Sequence, residues 1–337
     1  MKILVTGGAG FIGSNLIRFI LGGKKPVKII NVDKLTYAGN LENLSGLEKD
    51  PRYQFVLADI ADAPKIRAVF QEHRPEAVMH LAAESHVDRS IQDAAPFIYT
   101  NVLGTQVLLD CCMEFRVKRF LHVSTDEAYG SLREEDPPFT ETHPLSPNSP
   151  YAASKASSDH MVLACHHTHG LDCVITRCSN NYGPYQFPEK LIPLMIHNAM
   201  AGKELPVYGD GTNIRDWVHV DDHCRALLTV LDRGRPGAVY NIGGNAEVRN
   251  LEVVKKILKL LGAPESLIRF VKDRPGHDHR YAMDITLIKS ELKWEPQIDF
   301  PGGLALTVKW YLKNQEWVRR VISKEYQDYY ERTYGNR

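Results

Sequence analysis

Short apolar runs, each followed directly by polar residues, recur along the first half of the chain. They occupy Lys2–Thr6, Val27–Val32, Gln54–Ala58, Ala77–Leu81, Phe120–Val123 and Cys173–Cys178. Near-continuous apolar runs of this length are typical of parallel strands buried on both faces. Helical patterns separate them, at Ile12–Ile20, Ala63–His73, Ala94–Phe115 and Pro150–His169. The alternation predicts an α/β fold with a doubly wound parallel sheet of the Rossmann type.

The alternation weakens after about residue 180. Helices are predicted at Leu191–Ala201 and Leu251–Leu261 and at two terminal segments, and strands at Val239–Ile242 and Ile268–Val271. We therefore predict a Rossmann domain over residues 1–179, with strand segments near 214–243 returning to it. Residues 180–337 are predicted to form mainly a smaller α/β lobe that binds substrate.

Composition excludes several classes of protein. Lys plus Arg and Asp plus Glu are equal at 41 each, which leaves no basic surface for nucleic acid or an anionic membrane. The six cysteines form no C-x-x-C pair, so neither a disulfide framework nor a zinc site is predicted. We find no signal-peptide pattern and no apolar run of the roughly 18 residues that a membrane span needs. A cytoplasmic protein is expected.

A glycine motif follows the first predicted strand. Gly7, Gly10 and Gly13 stand where a tight turn, close approach of a pyrophosphate and close helix packing would each require glycine. Asp33 comes twenty residues after Gly13, at the end of the next strand, where an acid binds the adenosine ribose hydroxyls. A carboxylate there repels a 2′-phosphate, so NAD is predicted rather than NADP. Lys34 is interpreted as a solvated surface lysine.

A second polar cluster, Ser124-Thr125-Asp126-Glu127, follows the strand at Phe120–Val123. Ligands of open α/β sheets bind beyond the carboxyl ends of the strands, so this cluster lies where chemistry is expected. Downstream, Tyr151 and Lys155 stand one helical turn apart. A lysine charge beside a tyrosine favours the phenolate, and Ser124 or Thr125 could hold a substrate hydroxyl. These groups suit proton removal from an alcohol that NAD oxidises.

Alcohol oxidation does not need the two acids Asp126 and Glu127. They could be a capping or solvated loop pair. The functional alternative is an acid and a base for an elimination. A ketone makes the adjacent C–H acidic, so one carboxylate could remove that proton while the other, protonated, expels a hydroxyl. Two crowded carboxylates push their pKa values apart.

Other polar residues have weaker patterns. Arg215, Arg274 and Arg280 in predicted loops could clamp phosphates of a nucleotide sugar, although Arg280 fits an ordinary ion pair better. Asp88 and Arg89 could face substrate or belong to a solvated loop. The histidines of Pro150–His169 lack a matching set of carboxylates. His219 and His223 could be ligands, but a core or capping role is favoured, and we predict no metal site.

Several sequence runs resemble a known family. T-G-G-A-G-F-I-G (6–13) with Y-A-A-S-K (151–155) resembles the extended short-chain dehydrogenase/reductases. Within that superfamily the chain is similar to the dTDP-glucose 4,6-dehydratases. The similar runs are D-K-L-T-Y-A-G-N (33–40), A-A-E-S-H-V-D-R-S (82–90), S-T-D-E (124–127), C-S-N-N-Y-G-P-Y (178–185), P-E-K-L-I-P (188–193), Y-G-D-G (208–211), R-D-W-V-H (215–219) and D-R-P-G-H-D (273–278).

The resemblance implies a role for each catalytic candidate. Tyr151, with Lys155 lowering its pKa, would deprotonate the sugar 4-hydroxyl that Thr125 holds. Glu127 would be the base at carbon 5, and Asp126 the acid that expels the 6-hydroxyl as water. The hydride taken from carbon 4 would return to carbon 6.

Two sets of binding residues follow from the glycine motif and the resemblance together. The cofactor positions are Gly7, Gly10, Phe11, Ile12, Gly13, Asp33, Lys34, Leu35, Thr36, Asp59, Ile60, Leu81, Ala82, Ala83, Ser85, Thr100, Tyr151, Lys155 and Asn181. The substrate positions are Ser85, Thr125, Asn180, Lys190, Leu191, Pro206, Val207, Tyr208, Arg215, Asn250, Asp273, Arg274 and His277.

The chain departs from the family pattern at Ala128, where valine is usual, and in a short loop at Ser131–Ser149. The resemblance also implies a homodimer through helices like Ala94–Phe115 and Tyr151–His169. A UDP-sugar 4,6-dehydratase and a nucleotide-sugar 4-epimerase remain alternatives, although the Asp-Glu pair argues against the epimerase. The non-enzymatic alternative is an NAD-binding scaffold or redox sensor.

Overall fold

The computed structural model of the chain describes residues 1–23 and 25–322, and residues 323–337 of the predicted second lobe lie outside that description. The described residues form strands and helices in close alternation up to about residue 180. The strands are β1 Lys2–Thr6, β2 Lys28–Asp33, β3 Tyr53–Leu57, β4 Ala77–His80, β5 Arg119–Thr125, β6 Cys173–Cys178, β7 Asn180–Tyr182, β8 Leu205–Tyr208, β9 Ile214–His219, β10 Val239–Ile242, β11 Glu247–Arg249 and β12 Ile268–Val271.

Most of the longer α-helices that connect these strands lie close to the predicted positions. They are α1 Phe11–Gly22, α2 Ala63–His73, α3 Val87–Gln92, α4 Ala95–Phe97, α5 Gly104–Glu114, α6 Pro150–His169, α7 Leu191–Met200, α8 Val220–Arg233, α9 Asn250–Leu261, α10 Thr286–Leu292, α11 Phe300–Lys313 and α12 Gln315–Val321. Short 3-10 turns occupy Leu41–Leu44, Asp126–Tyr129 and Glu265–Leu267.

A seven-stranded parallel sheet forms the centre of the protein, in the order β10-β6-β5-β4-β1-β2-β3. The chain runs outward from β1 to β3 and then returns to the other side of β1 to form β4. This reversal creates a crevice beyond the carboxyl ends of β1 and β4, where open α/β sheets bind their ligands. The doubly wound fold predicted from the sequence is confirmed.

Helices cover both faces of this sheet. On one face, α1, α8 and α10 bury Leu16, Leu227 and Ile288 against the sheet. On the other face, α2, α5 and α6 bury a second apolar cluster that includes Phe70 and Val162. α10 has no counterpart among the predicted elements, because its seven residues are too few to establish a helical period.

The segment predicted to return to the central sheet does so only in part. β10 pairs with β6 inside the sheet, as expected. β9 instead pairs with β7 and β11 in a separate three-stranded sheet, so the expectation is wrong for this strand. β8 and β12 form a further two-stranded sheet. The division of the chain into two domains stays a prediction.

The predicted helix Ala94–Phe115 is not a regular α-helix. α4 continues into a π-helical turn at Ile98–Leu103, and α5 follows without a break. The turn carries Thr100 and Asn101, both buried, and the Asn101 amide donates to the Glu84 backbone carbonyl and to Ser154 Oγ. π-turns are frequent at functional sites, and this one contributes Thr100 to the pocket described below.

Candidate active site

The turn between β1 and α1 is built for close approach to the backbone. Gly7 has a φ of 71°, and a Cβ added there would lie 2.7 Å from Ala82 Cα. A Cβ on Gly13 would lie 2.2 Å from the Gly7 carbonyl oxygen. α1 begins after Gly10 with no side-chain cap, so its first N–H groups are left to a ligand. A phosphate fits such a helix start, and these residues therefore fit the predicted dinucleotide.

Asp33 ends β2 beside this turn. Its Oδ2 accepts from the Ala9 N–H at 3.0 Å, and its Oδ1 accepts from the Leu35 N–H at 2.8 Å. The carboxylate is thus held at the rim of the crevice, where an acid would meet the ribose hydroxyls.

Lys34 is not the solvated lysine that the sequence suggested. Its Nζ donates to Thr100 Oγ1 at 3.2 Å and lies 3.5 Å from Asp59 and 3.8 Å from Glu84. Folding brings these three partners together from the segments that follow β3 and β4 and from the π-turn, which no local pattern could reveal. Lys34 therefore lines the crevice and links the segments that carry Thr100, Asp59 and Glu84.

The carboxyl end of β5 places two acids side by side. Asp126 is 2% exposed, and its Oδ1 accepts from Thr125 Oγ1 at 3.2 Å, whereas its Oδ2 has no hydrogen-bond partner among the described residues. Burial, and then the charge of Glu127, raise the pKa of Asp126 well above its usual value. Burial also raises the pKa of Glu127, but Arg274 and two further cations oppose the shift. The two environments therefore differ in the direction that an acid and a base require.

Tyr151 and Lys155 face the same crevice from the first turns of α6, which Ser149 caps by accepting from the Ala152 N–H. Burial, and then Glu127, raise the pKa of Tyr151 well above its usual value. The lowering of the Tyr151 pKa that we expect from Lys155 stays a prediction. The Lys155 ammonium donates to the Val123 carbonyl at 2.8 Å.

A pocket beyond β1, β4 and β5 brings most predicted site residues together. All the predicted cofactor positions line it except Leu35 and Asp59, which lie just behind Asp33 and Lys34. All the predicted catalytic residues also line it, and so do four substrate positions, Ser85, Thr125, Asn180 and Lys190. The individual role of each residue stays a prediction.

The remaining substrate positions lie outside the residues that line this pocket. They are Leu191, Pro206, Val207, Tyr208, Arg215, Asn250, Asp273, Arg274 and His277. Several already contact other groups of the protein: His277 Nδ1 lies 2.6 Å from Asp273, and the Arg215 guanidinium donates to the carbonyls of Ile214, Asp278 and His279. Val207 packs in the apolar core of this lobe.

Asp88 links the two halves of the site. It is 7% exposed, accepts from the Tyr208 hydroxyl at 2.9 Å and pairs with Arg274 at 3.3 Å. The alternative of a solvated loop is therefore wrong for Asp88. The neighbouring Arg89 places its guanidinium 3.7 Å from the centre of the Tyr37 ring. Arg280, in contrast, forms the ion pair expected of it, with Glu247.

Sequence reasoning missed several residues that line the pocket, among them Glu189, Gln186, Phe187 and Cys178. Glu189 is buried, and its Oε1 accepts from the Tyr37 hydroxyl at 3.0 Å. Burial raises its pKa to about 7. The runs D-K-L-T-Y-A-G-N and P-E-K-L-I-P carry both partners, but their contact joins residues 152 positions apart and has no local signal.

Two further observations concern classes of site. Within residues 1–23 and 25–322, no three histidine, cysteine or carboxylate side chains form a group suited to a metal ion. No helix in the same ranges is long and apolar enough to span a bilayer.

Comparison with known proteins supplies independent findings. A family model described as GDP-mannose 4,6 dehydratase matches residues 4–307. The chain is 52% identical over 354 residues to a dTDP-glucose 4,6-dehydratase of Escherichia coli, which covers 97% of this chain and 98% of that protein. These matches confirm the resemblance inferred from the sequence.

Solved structures give the same result. A dTDP-glucose 4,6-dehydratase of Streptomyces venezuelae, crystallised with NAD, has a TM-score of 0.92 at 52% identity and covers 95% of this chain and 100% of that chain. A UDP-glucose 4-epimerase of Thermotoga maritima has a TM-score of 0.86 at 33% identity and covers 94% and 100%. Both proteins share the fold, but the sequence is closer to the dehydratase.

Proposed function

The chain belongs to the family described by the GDP-mannose 4,6-dehydratase model, and we propose that it removes water from dTDP-glucose. It is an NAD-dependent hydro-lyase whose product is dTDP-4-keto-6-deoxy-glucose. The observation that carries this assignment is the pair Asp126 and Glu127, which faces Tyr151 and Lys155 in one pocket. The 52% identity to dehydratases over nearly the whole chain supports it. An epimerase needs the tyrosine and the lysine but has no use for the two acids.

NAD is the cofactor, and its binding residues are on the first half of the sheet. The uncapped start of α1 would bind the pyrophosphate, and Asp33 would bind the ribose hydroxyls. Bound there, NAD would supply the acceptor for the carbon 4 hydride and the donor of that hydride to carbon 6, so none would be consumed.

Tyr151 removes the proton of the sugar 4-hydroxyl, which Thr125 orients. Because burial raises the pKa of Tyr151 well above its usual value, this step requires nearby positive charge. Lys155 supplies one charge from the next turn of α6. The cationic nicotinamide ring would supply a second, so proton removal is coupled to the presence of cofactor.

Glu127 and Asp126 perform the elimination. Glu127 removes the carbon 5 proton, because Arg274, Lys190 and Arg215 favour its charged form. Asp126 stays protonated, because burial and the neighbouring carboxylate raise its pKa well above its usual value. Its Oδ2, which has no partner among the described residues, is the atom suited to donate a proton to the departing 6-hydroxyl.

The second lobe binds the nucleotide. Arg274 is the strongest candidate for the diphosphate, since its Nε is buried without a hydrogen-bond partner in the described part of the chain and the pair with Asp88 orients it. Lys190 closes the site from the same side, and its Nζ donates to the Ser85 carbonyl at 3.0 Å.

We also propose a homodimer in the cytoplasm. Ile98, Tyr99 and Leu103 are 59%, 48% and 45% exposed, on the stretch expected to form the dimer interface. Exposed apolar side chains that are neighbours in one short stretch favour a protein partner. The six free cysteines fit a reducing compartment. Light scattering of the purified protein measures the assembly.

Incubation with dTDP-glucose tests the proposed reaction. A 4-keto-6-deoxy product should form without added reductant and without net accumulation of NADH. A product that is only the 4-epimer would favour the epimerase, and turnover of UDP-glucose in preference to dTDP-glucose would favour the UDP-sugar dehydratase. If no nucleotide sugar is turned over, the non-enzymatic alternative, an NAD-binding scaffold or redox sensor, would be favoured.

A further inference from the structure

A buried charged cluster lies beneath the pocket, on the side of α6 that faces the sheet. Its members are His122 of β5, Lys155 and Asp159 of α6 and Arg177 of β6, each no more than 4% exposed. Lys155 alone among them has a role in the reaction proposed above. The other three need another explanation, because burying a charged group costs free energy, and only close pairing and hydrogen bonding offset that cost.

The contacts run in sequence from the lysine to the arginine. Lys155 Nζ lies 3.4 Å from His122 Nε2, which lies 3.4 Å from Asp159 Oδ1. Arg177 Nε donates to Asp159 Oδ2 at 2.8 Å. Ser158 Oγ lies 3.0 Å from His122 Nε2 and donates to the Lys155 carbonyl at 2.8 Å.

Helix geometry aligns the cluster with the pocket. Tyr151, Lys155 and Asp159 follow one another at intervals of four residues, so they share one face of α6 over three successive turns. The first lines the pocket, the second reaches from the pocket to the cluster and the third is fully buried. The spacing Y-x-x-x-K-x-x-x-D thus places a carboxylate directly behind the lysine.

The charges of the cluster leave one positive charge over. Lys155 and Arg177 are cationic and Asp159 is anionic, while burial and the Lys155 charge lower the pKa of His122 to about 4 and keep it neutral. The other titratable groups facing Lys155 are His80 of β4, Cys178 of β6 and Tyr151. Burial keeps all three neutral, since it holds the pKa of the imidazole low and those of the thiol and phenol high.

We propose that Asp159 is a positioning residue for the catalytic lysine: held by Arg177, it keeps the buried Lys155 ammonium charged and directed at the pocket. This inference rests on the function proposed above. Burial lowers the pKa of Lys155 to about 8, and Asp159 opposes that shift. Without the carboxylate, two buried cations would remain, and only the lysine can release its proton, because arginine stays protonated in proteins.

Substitution of the two partners should act in opposite directions. Asp159→Asn removes the counter-charge and should lower the Lys155 pKa by about one unit or more. Arg177→Gln removes the competing cation, leaves Asp159 to Lys155 and should raise that pKa. If the Asp159–Arg177 pair only ties α6 to β6, both substitutions should weaken folding and leave the Lys155 pKa where it was.

The measurement is the rate of acetylation of Lys155 by trace acetic anhydride as a function of pH, followed by mass spectrometry of its peptide. It uses the full-length chain without substrate, so its outcome does not depend on the reaction being correctly assigned. Asp172→Asn is the matched control, because Asp172 also pairs with an arginine, Arg119, at the opposite end of β5 and β6. Its Lys155 titration should match that of the parent.

A second measurement connects the cluster to catalysis. Loss of the lysine charge makes the Tyr151 phenol less acidic, so in Asp159→Asn the acidic limb of the pH profile for sugar oxidation should move to higher pH.

The two titrations of Lys155 decide between the explanations. A lower Lys155 pKa in Asp159→Asn together with a higher one in Arg177→Gln supports the proposal, and any other pair of results overturns it. If Asp159→Asn does not fold, Arg177→Gln decides alone: a rise supports the proposal, and no rise overturns it.

Discussion

The two halves of the site hold their polar groups differently. Beyond β1 and β5, polar atoms have no protein partner among the described residues, as at the start of α1 and at Asp126 Oδ2. In the second lobe several charged groups already bind protein, as Arg215 binds three carbonyls and Arg280 binds Glu247, although Arg274 Nε has no hydrogen-bond partner in the same ranges. The first half is therefore set for chemistry on a ligand, whereas a ligand in the second half would have to displace protein partners from groups such as Arg215. Changes in the first half should affect rate or cofactor binding steeply, and changes in the second should affect substrate affinity modestly.

The largest effect is expected at the two acids. Asp126→Asn cannot donate a carboxylic proton, and Glu127→Gln cannot accept the carbon 5 proton. Each should slow dehydration by about 10²- to 10⁴-fold, which is the usual contribution of a general acid or base. Both should still oxidise the sugar, so reduced nicotinamide should remain visible by its near-ultraviolet absorbance. Tyr151→Phe should show none.

Glu135→Gln is the control for that experiment, since Glu135 is an exposed acid in the loop that follows. It should turn over at the parent rate. Exchange of the carbon 5 hydrogen with deuterated water should be lost in Glu127→Gln and less affected in Asp126→Asn. If both carboxamide variants dehydrate the sugar at the parent rate, Asp126 and Glu127 are only a solvated loop pair, and the 4-epimerase becomes the favoured function.

The backbone cradle should be sensitive to a single methyl group. Gly13→Ala would place a Cβ 2.2 Å from the Gly7 carbonyl, and relieving such a clash typically costs about 1–3 kcal/mol. NAD should bind about 10- to 100-fold more weakly, as measured by fluorescence titration. Gly22→Ala, in the same helix, meets open space and should bind NAD like the parent. If the two variants bind NAD with equal affinity, the backbone turn at Gly7–Gly13 is not the pyrophosphate site.

Glu189 tests the segment by which the second lobe reaches the pocket. Its pKa is about 7 in the folded chain against 4.5 when exposed, so the folded state binds the extra proton. The stability from that proton is fully present below pH 4.5 and is lost as the pH rises through about 7. Glu189→Gln should unfold with less pH dependence, and be about 3 kcal/mol more stable than the parent at pH 8.

Thermal unfolding from pH 4.5 to pH 8 measures that difference. Glu252→Gln, at an exposed acid on α9, should follow the parent over the whole range. Parallel profiles for the parent and Glu189→Gln would show that the buried carboxyl gains nothing from protonation.

The smallest effect is expected at the phosphate clamp. Arg274→Lys keeps the charge beside Glu127 but loses the planar fork that binds phosphate oxygens. KM for the nucleotide sugar should rise about tenfold with little change in kcat, because the diphosphate is bound equally in the ground and transition states. Arg235→Lys, an exposed arginine paired with Glu291, is the control. A fall in kcat at constant KM would show that Arg274 does not bind the diphosphate.

Most of the catalytic cluster was predictable because its residues are close in the chain. The acids follow β5 directly, and Tyr151 and Lys155 are related by one helical turn, so each pair is positioned by a single element. Lys34 was misjudged, and Asp88 was left open between two alternatives, for the opposite reason. Their partners come from other elements, and the bond of Asp88 to Arg274 joins residues 186 positions apart.

The sequence by itself determined the alternation of strands and helices, the glycine turn and the acids at the end of β5. Backbone geometry repeats with periods of two and 3.6 residues, so local spacing is enough to place side chains on a face or at a strand end. The tertiary structure alone decided which cations face Glu127, that Asp159 and Arg177 meet beneath Lys155, and that Glu189 is buried against Tyr37. Burial and charge depend on distant segments packing together, and they shift the pKa values of Asp126, Glu127, Tyr151 and Lys155.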